Sequence, residues 1–143
     1  MAITSAICTS FKVELLKGVH NFSTGGDSFK LALYSGATAS LDASTTAYTT
    51  TAEVAGTGYT AGGSALTNVT PVAAGTTAVV DFADLTFATA TITASGCLIY
   101  NDTEAGDPAV AAISFGGAKT STAGDFTIVF PSPTATGAII RLA

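Results

Sequence analysis

The sequence predicts a mainly β protein, an antiparallel β-sandwich or jelly-roll-like domain with one N-terminal amphipathic helix. Three observations carry this. Helical spacing of apolar residues occurs only near the start, between Ser5 and Val19. From Thr77 onward, short runs rich in Val, Ile, Phe and Thr follow one another closely, separated by Gly, Pro, Asn and Asp. No strand–helix–strand alternation exists, which disfavours a parallel α/β sheet. A chain of 143 residues fits one domain. It divides into a helix and its exit over 1–22 and a sandwich over 27–143, the latter with a long Gly/Thr/Ser-rich excursion over 35–70.

Each element has its own signal. In the first segment Ala6, Ile7, Phe11, Leu15, Leu16 and Val19 fall near helical spacing, with Ser5 placed as N-cap and Gly18 near the stop. The stripe Ile7, Phe11 and Leu15, with Cys8 and Leu16 alongside, must bury itself on this chain's own sheet or on a partner. After Asp27 the period changes to two: Phe29, Leu31 and Leu33 alternate with Lys30, Ala32 and Tyr34. The excursion follows, punctuated by Tyr48, Val54 and Tyr59. Gly56, Gly58, Gly62 and Gly63 give it backbone freedom, and a short strand is expected near Ala65–Val69. Strands are then predicted at Thr77–Phe82, Leu85–Thr93, Gly96–Tyr100, Ala109–Phe115, Phe126–Phe130 and Ala138–Leu142. Turns are predicted between them at Ala94–Gly96, Asn101–Asp107, Gly116–Gly124 and Pro131–Gly137.

Composition narrows function. Charged residues are 10% of the chain, against about 25% in an average domain. Thr, Ser, Gly and Ala must therefore cover most of the surface, which suits a protein whose faces are covered by neighbours in an assembly. The net charge is −5, and the five cations (Lys12, Lys17, Lys30, Lys119 and Arg141) are scattered. No basic stripe exists to neutralise phosphates or to dock on an acidic membrane, so neither nucleic acid nor membrane is an expected partner. The charge-free stretches Val54–Val80 and Leu85–Asn101 are broken by Thr, Ser and Gly and do not read as membrane spans. The opening residues lack a basic n-region and do not read as a secretory leader. Cys8 and Cys97 make no C-x-x-C; one disulfide between them is the alternative, and two buried free thiols is the expected state.

Residues that could carry chemistry are few. His20 is the sole histidine, so any Ser/His/Asp arrangement would need it; its setting at a helix exit reads as structural. The segment Gly116–Thr120 resembles a phosphate loop but has Ala118 where that loop needs Gly, and no helical pattern follows. Asn101, Asp102, Glu104 and Asp107 cluster as Ca²⁺ ligands can, yet without the spacing of a known Ca²⁺ loop. Asp81 and Asp84 are close enough in sequence for paired carboxylates, but no Trp offers a sugar platform. The expectation is a non-enzymatic chain with no cofactor and no metal.

A series of motifs then points to a family. The segment Ile7–Phe22 (Ile-Cys-Thr-Ser-Phe-Lys-Val-Glu-Leu-Leu-Lys-Gly-Val-His-Asn-Phe) is followed closely by Phe29–Tyr34 (Phe-Lys-Leu-Ala-Leu-Tyr). After these come Thr45–Tyr48, Glu53–Gly63, Phe82–Phe87, Ala94–Asn101, Lys119–Thr127 and Ile139–Leu142. Together they resemble a widespread set of small virion structural proteins of tailed bacteriophages, over nearly the whole chain. The stretch Gly96–Asn101 with the Lys119–Thr120 segment also resembles, loosely, domains of phage tail-collar fibres. The resemblance implies membership of a phage particle assembled in the bacterial cytoplasm, and it carries over no catalytic residue. A capsid decoration or cement protein, bound to the major capsid protein or other virion proteins and itself a homo-oligomer such as a trimer, is the first expectation. A tail, baseplate or fibre-base component is the second, and a small carbohydrate-binding β-module is the third. The residues expected at an interface are Ile7, Phe11 and Leu15 on the helix stripe and Tyr48 and Tyr59 on the excursion, since large amphipathic rings favour interfaces.

Overall fold

The N-terminal segment divides its residues between a sheet and a helix. In the computed structural model, which describes residues 2–143, the elements in chain order are β1 (Ala6–Ile7), α1 (Thr9–Leu16), β2 (Phe29–Tyr34), β3 (Ser64–Ala65), β4 (Asn68–Ala74), β5 (Thr77–Phe82), β6 (Leu85–Asn101), β7 (Ala109–Ile128) and β8 (Ile140–Leu142). The helix is shorter than its apolar spacing predicts, because the residues before it are taken by strand pairing. Ala6 and Ile7 pair with Ala112 and Ala111, and Ile3 bridges Leu41. Ser5 does not cap the helix; its Oγ accepts a bond from the Ser114 amide, and Cys8 stands at the N-cap position without a side-chain cap. The C-terminal end forms as Gly18 predicts. Gly18 adopts φ +75°, its amide donates to Leu15 and the Val19 amide donates to Glu14, which is the two-bond Schellman stop.

All named strands pair antiparallel, in a five-stranded sheet ordered β1-β7-β6-β2-β3 and a three-stranded sheet ordered β4-β5-β8. The two sheets make a β-sandwich. Register places Phe29, Leu31 and Leu33 opposite Asn101, Ile99 and Cys97, so these side chains share one face. That face meets the small sheet through aromatic rings: Phe29 stacks on Phe22 at 4.4 Å and meets Phe82 at 5.9 Å, and Phe82 meets Phe130 at 5.5 Å. Each such pair contributes about 0.5–1.5 kcal/mol beyond its buried area. The opposite face carries Tyr34, Leu98 and Tyr100 and lies under the excursion, where Tyr48 stacks on Tyr100 at 4.8 Å.

Two predicted turns are strand. The chain does not turn at Ala94–Gly96; β6 runs through it. A Cβ on Gly96 would collide with the Ile113 carbonyl and the Ile3 side chain, so this glycine permits close approach and not a turn. Likewise Gly116–Gly124 is no loop. Between the pairs Ala94–Lys119 and Gly96–Ser114, residues 115–118 face Ser95 alone, and Gly116 (φ +75°) and Gly117 (φ +146°) absorb that bulge. Four predicted strands therefore merge into one hairpin whose tip is the turn after Asn101. Its far half, residues 85–94 against 119–128, extends as a two-stranded ribbon beyond the reach of β1 and β2.

β4 holds a strand where Pro71 argues against one. It is an edge strand, and its register slips between Val69 and Val72 around the proline, the setting in which a strand tolerates Pro.

Candidate functional site

Among the described residues, the carboxylate that accepts the most hydrogen bonds is Glu53. It is the lone charge between Asp42 and Asp81. Its Oε2 accepts from the Tyr48 hydroxyl at 2.5 Å, and its Oε1 accepts from the Tyr59 hydroxyl at 2.6 Å and the Gly62 amide at 2.7 Å. The other two of the chain's four tyrosines join the same clasp: Tyr100 donates to the Gly62 carbonyl at 2.5 Å and Tyr34 to the Thr49 carbonyl at 2.7 Å. The Tyr59 oxygen also accepts from the Leu33 amide at 2.9 Å. Burial pushes the Tyr48 phenol up to about 12, and burial likewise raises Tyr34, Tyr59 and Tyr100, so all four stay protonated as donors.

This clasp seals a sheet edge. Beyond the two residues that pair with β3, the outer edge of β2 meets the excursion: Leu33 bonds Tyr59, the Val54 amide donates to the Leu33 carbonyl at 2.9 Å and the Ser35 amide to Ala52 at 2.9 Å. A Cβ on Gly63 would strike the Leu31 carbonyl, so only glycine fits there. The excursion then follows β6, where Thr57 bridges Thr91 and the Tyr59 ring lies 5.4 Å from Phe87. Tyr48 and Tyr59 are thus half-buried braces of this chain's own excursion.

The other flank is bare. β1 pairs with β7 only at Ala111 and Ala112, and among the described residues no strand pairs with the outer edge of residues 113–128. On this side a cleft of about 520 Å³ opens, lined by Ile113, Phe115, Phe126, Ile128, Phe130 and Ile139 among others. Val129 beside it is 71% exposed. The small sheet leaves Val69, Val72 and Leu142 exposed as well.

The helix stripe splits. Phe11 is 1% exposed and belongs to the core; Ile7 sits half-buried in β1 and Leu15 half-buried against the core. Leu15 lines a second cleft, of about 290 Å³, with Phe22, Val79, Ile140 and Leu142. Leu16, 89% exposed, and Val13 point away from the chain. The apolar residues therefore spread around α1 and do not form one clean stripe.

The polar candidates fall apart as chemistry. His20 is buried; its Nδ1 lies 3.0 Å from the Asn101 amide nitrogen and its Nε2 3.7 Å from Glu14. Asn101 is buried and caps the tip by accepting from the Thr103 and Glu104 amides. Asp102 pairs with Lys30 at 3.4 Å. Asp84 accepts from the Phe130 amide at 2.9 Å, tying a corner, while Asp81 lies within β5 opposite Val69. Gly116–Thr120 lies inside β7 and opens no helix. Both cysteines are free and buried, and burial pushes the thiols up to about 11 for Cys8 and about 12 for Cys97, far from a reactive thiolate. Among the described residues no three His, Cys, Asp or Glu side chains converge as metal ligands, and no helix is long and apolar enough to cross a membrane.

Sequence reasoning missed Glu53, Tyr34 and Tyr100 as members of a single clasp. The available signal was the isolation of Glu53: one charge in a long uncharged stretch, set among tyrosines. No family model, curated protein or solved structure matches the chain.

Proposed function

We propose that this chain is a non-enzymatic structural protein of a bacteriophage particle, a capsid decoration protein that binds the major capsid protein as a homo-oligomer. The observation that supports it is the uneven treatment of the surface. One flank of the large sheet is sealed by a dedicated clasp, while the β7 edge, the cleft beside it and the small sheet's valines stay open. Unpaired strand edges and apolar patches are association surfaces, and proteins that stay monomeric blunt them. Such a subunit acts mechanically: it buries edge and apolar surface across joints between capsid subunits and resists outward pressure, with no need to touch nucleic acid or membrane.

A tail, baseplate or fibre-base position is the second reading. It is favoured by the ribbon 85–94/119–128, which extends past its neighbours and offers a long free side. A carbohydrate-binding module finds less support, since there is no Trp and the hydroxyls of all four tyrosines are engaged within the chain.

Quantifying the chain in purified particles tests the proposal. Hundreds of copies per particle support decoration, and a handful support a tail position. Absence from particles, together with glycan binding by the isolated chain, would overturn both.

A further inference from the structure

We propose that His20 and Asn101 form a proton-operated latch, in which a proton on His20 Nδ1 turns the Asn101 amide and loosens the hairpin tip at Thr103 and Glu104. Hydrogen-bond polarity fixes how the Asn101 amide is oriented. Asn101 is fully buried. One end of its amide faces the backbone N–H groups of Thr103 at 2.9 Å and Glu104 at 3.4 Å. Backbone N–H groups only donate, so that end is the oxygen and the other is the NH₂. The two NH₂ hydrogens go to Asp27 Oδ2 at 2.9 Å and to His20 Nδ1 at 3.0 Å. His20 Nδ1 is therefore an acceptor. The neutral ring carries its proton on Nε2, toward Glu14 Oε2.

An imidazolium bears hydrogens on both nitrogens. Its Nδ1–H would face the Asn101 NH₂, donor against donor. The ring cannot step aside, because Phe11, Phe29 and Phe22 enclose it at 4.9, 6.2 and 6.4 Å. Turning the Asn101 amide over relieves the clash at His20 and moves it to the tip, where NH₂ then meets the Thr103 and Glu104 amides. Asp27, which also accepts from the Asn21 amide at 2.9 Å, loses a donor as well. The tip keeps its external ties: the Ser28 amide to Thr103 Oγ1 at 2.7 Å, the Asp102 amide to the Ser28 carbonyl at 2.8 Å, the Tyr48 amide to the Asp107 carbonyl at 3.0 Å and the Lys30–Asp102 ion pair at 3.4 Å.

The charged groups facing the ring are Glu14 on α1, Asp27 in the connector and Glu104 in the tip; all three favour the proton. Burial opposes it and prevails, holding His20 below its ordinary value. A base with a depressed folded value stabilises the fold fully above its unfolded value of about 6.5, and loses that contribution as pH falls from there through the folded value. The latch is therefore closed at neutral pH and opens in acid.

The test is a ¹⁵N NMR titration of the whole chain from pH 8 to pH 4.5. The expected result is an Nε2–H tautomer at pH 8, and a fall of about tenfold in the exchange protection of the Thr103 and Glu104 amides with the same midpoint as His20. A His20→Gln variant should leave those two amides without that transition. An Asn101→Asp variant, whose carboxylate accepts from Nδ1–H and still caps the tip, should raise the His20 midpoint by one pH unit or more. An Nδ1–H tautomer, or a His20 titration that leaves both tip amides unchanged in the unmodified chain, would overturn the proposal without any variant.

Discussion

The two flanks of the large sheet are treated in opposite ways. On the β2 side, 29 residues between β2 and β3 have no named strand, yet they are bolted to the sheet edge by Glu53, four tyrosines and Gly63. On the β7 side one strand runs for 20 residues, interrupted by bulges, yet its outer edge is free for most of that length. Regular structure and restraint are thus decoupled here. A segment without strands can be rigid when its polar groups are satisfied, and a long strand can be exposed when nothing lies beside it.

The sharpest way to break this contrast is to attack the clasp. Glu53→Ala strands two half-buried hydroxyls and the Gly62 amide and should cost about 3 kcal/mol in chemical denaturation, since removing a charged acceptor leaves its donors unpaired. Gly63→Ala should cost at least as much, through collision with the Leu31 carbonyl. Tyr59→Phe keeps the ring on Phe87 and loses one hydroxyl; about 1 kcal/mol is expected in the same measurement. Acid provides a graded probe at another site. Stability should hold above about pH 6.5 and decline below it, and His20→Gln should flatten that decline in a thermal melt series, because the buried ring must take up a proton. The smallest effect belongs to the open flank. Val72→Thr and Val129→Thr should change the stability of the isolated chain by less than about 0.5 kcal/mol, while lowering its occupancy on particles.

Much of this architecture was legible in the sequence. Period-two patterning located β2, the alternation Thr77–Phe82 located β5, and Gly18 marked the helix stop. What failed did so for identifiable reasons. Gly96 and Gly116–Gly117 are turn formers by propensity, but Gly96 serves close approach and the other two a bulge; only the partner strand reveals which. Ser5 has the chemistry of an N-cap, yet pairing of Ala6 and Ile7 with β7 claims the residues that would have begun the helix. The short strand expected near Ala65–Val69 overlaps β3 and the start of β4; that β4 runs on through Pro71 follows from its place at a sheet edge, which is a property of the whole fold. The clasp was half visible: Tyr48 and Tyr59 stood out as large rings, but their shared carboxylate was legible only as an isolated charge. The His20–Asn101 bond spans 81 positions in sequence, and no local pattern announces it.

The contrast between flanks is most directly tested by amide hydrogen exchange on the isolated chain. Slow exchange is predicted for the Leu33, Ser35 and Val54 amides, with fast exchange for those amides of residues 117–128 that face away from β6. Equal protection on the two flanks, or faster exchange at Leu33 and Val54 than along the β7 edge, would contradict the account.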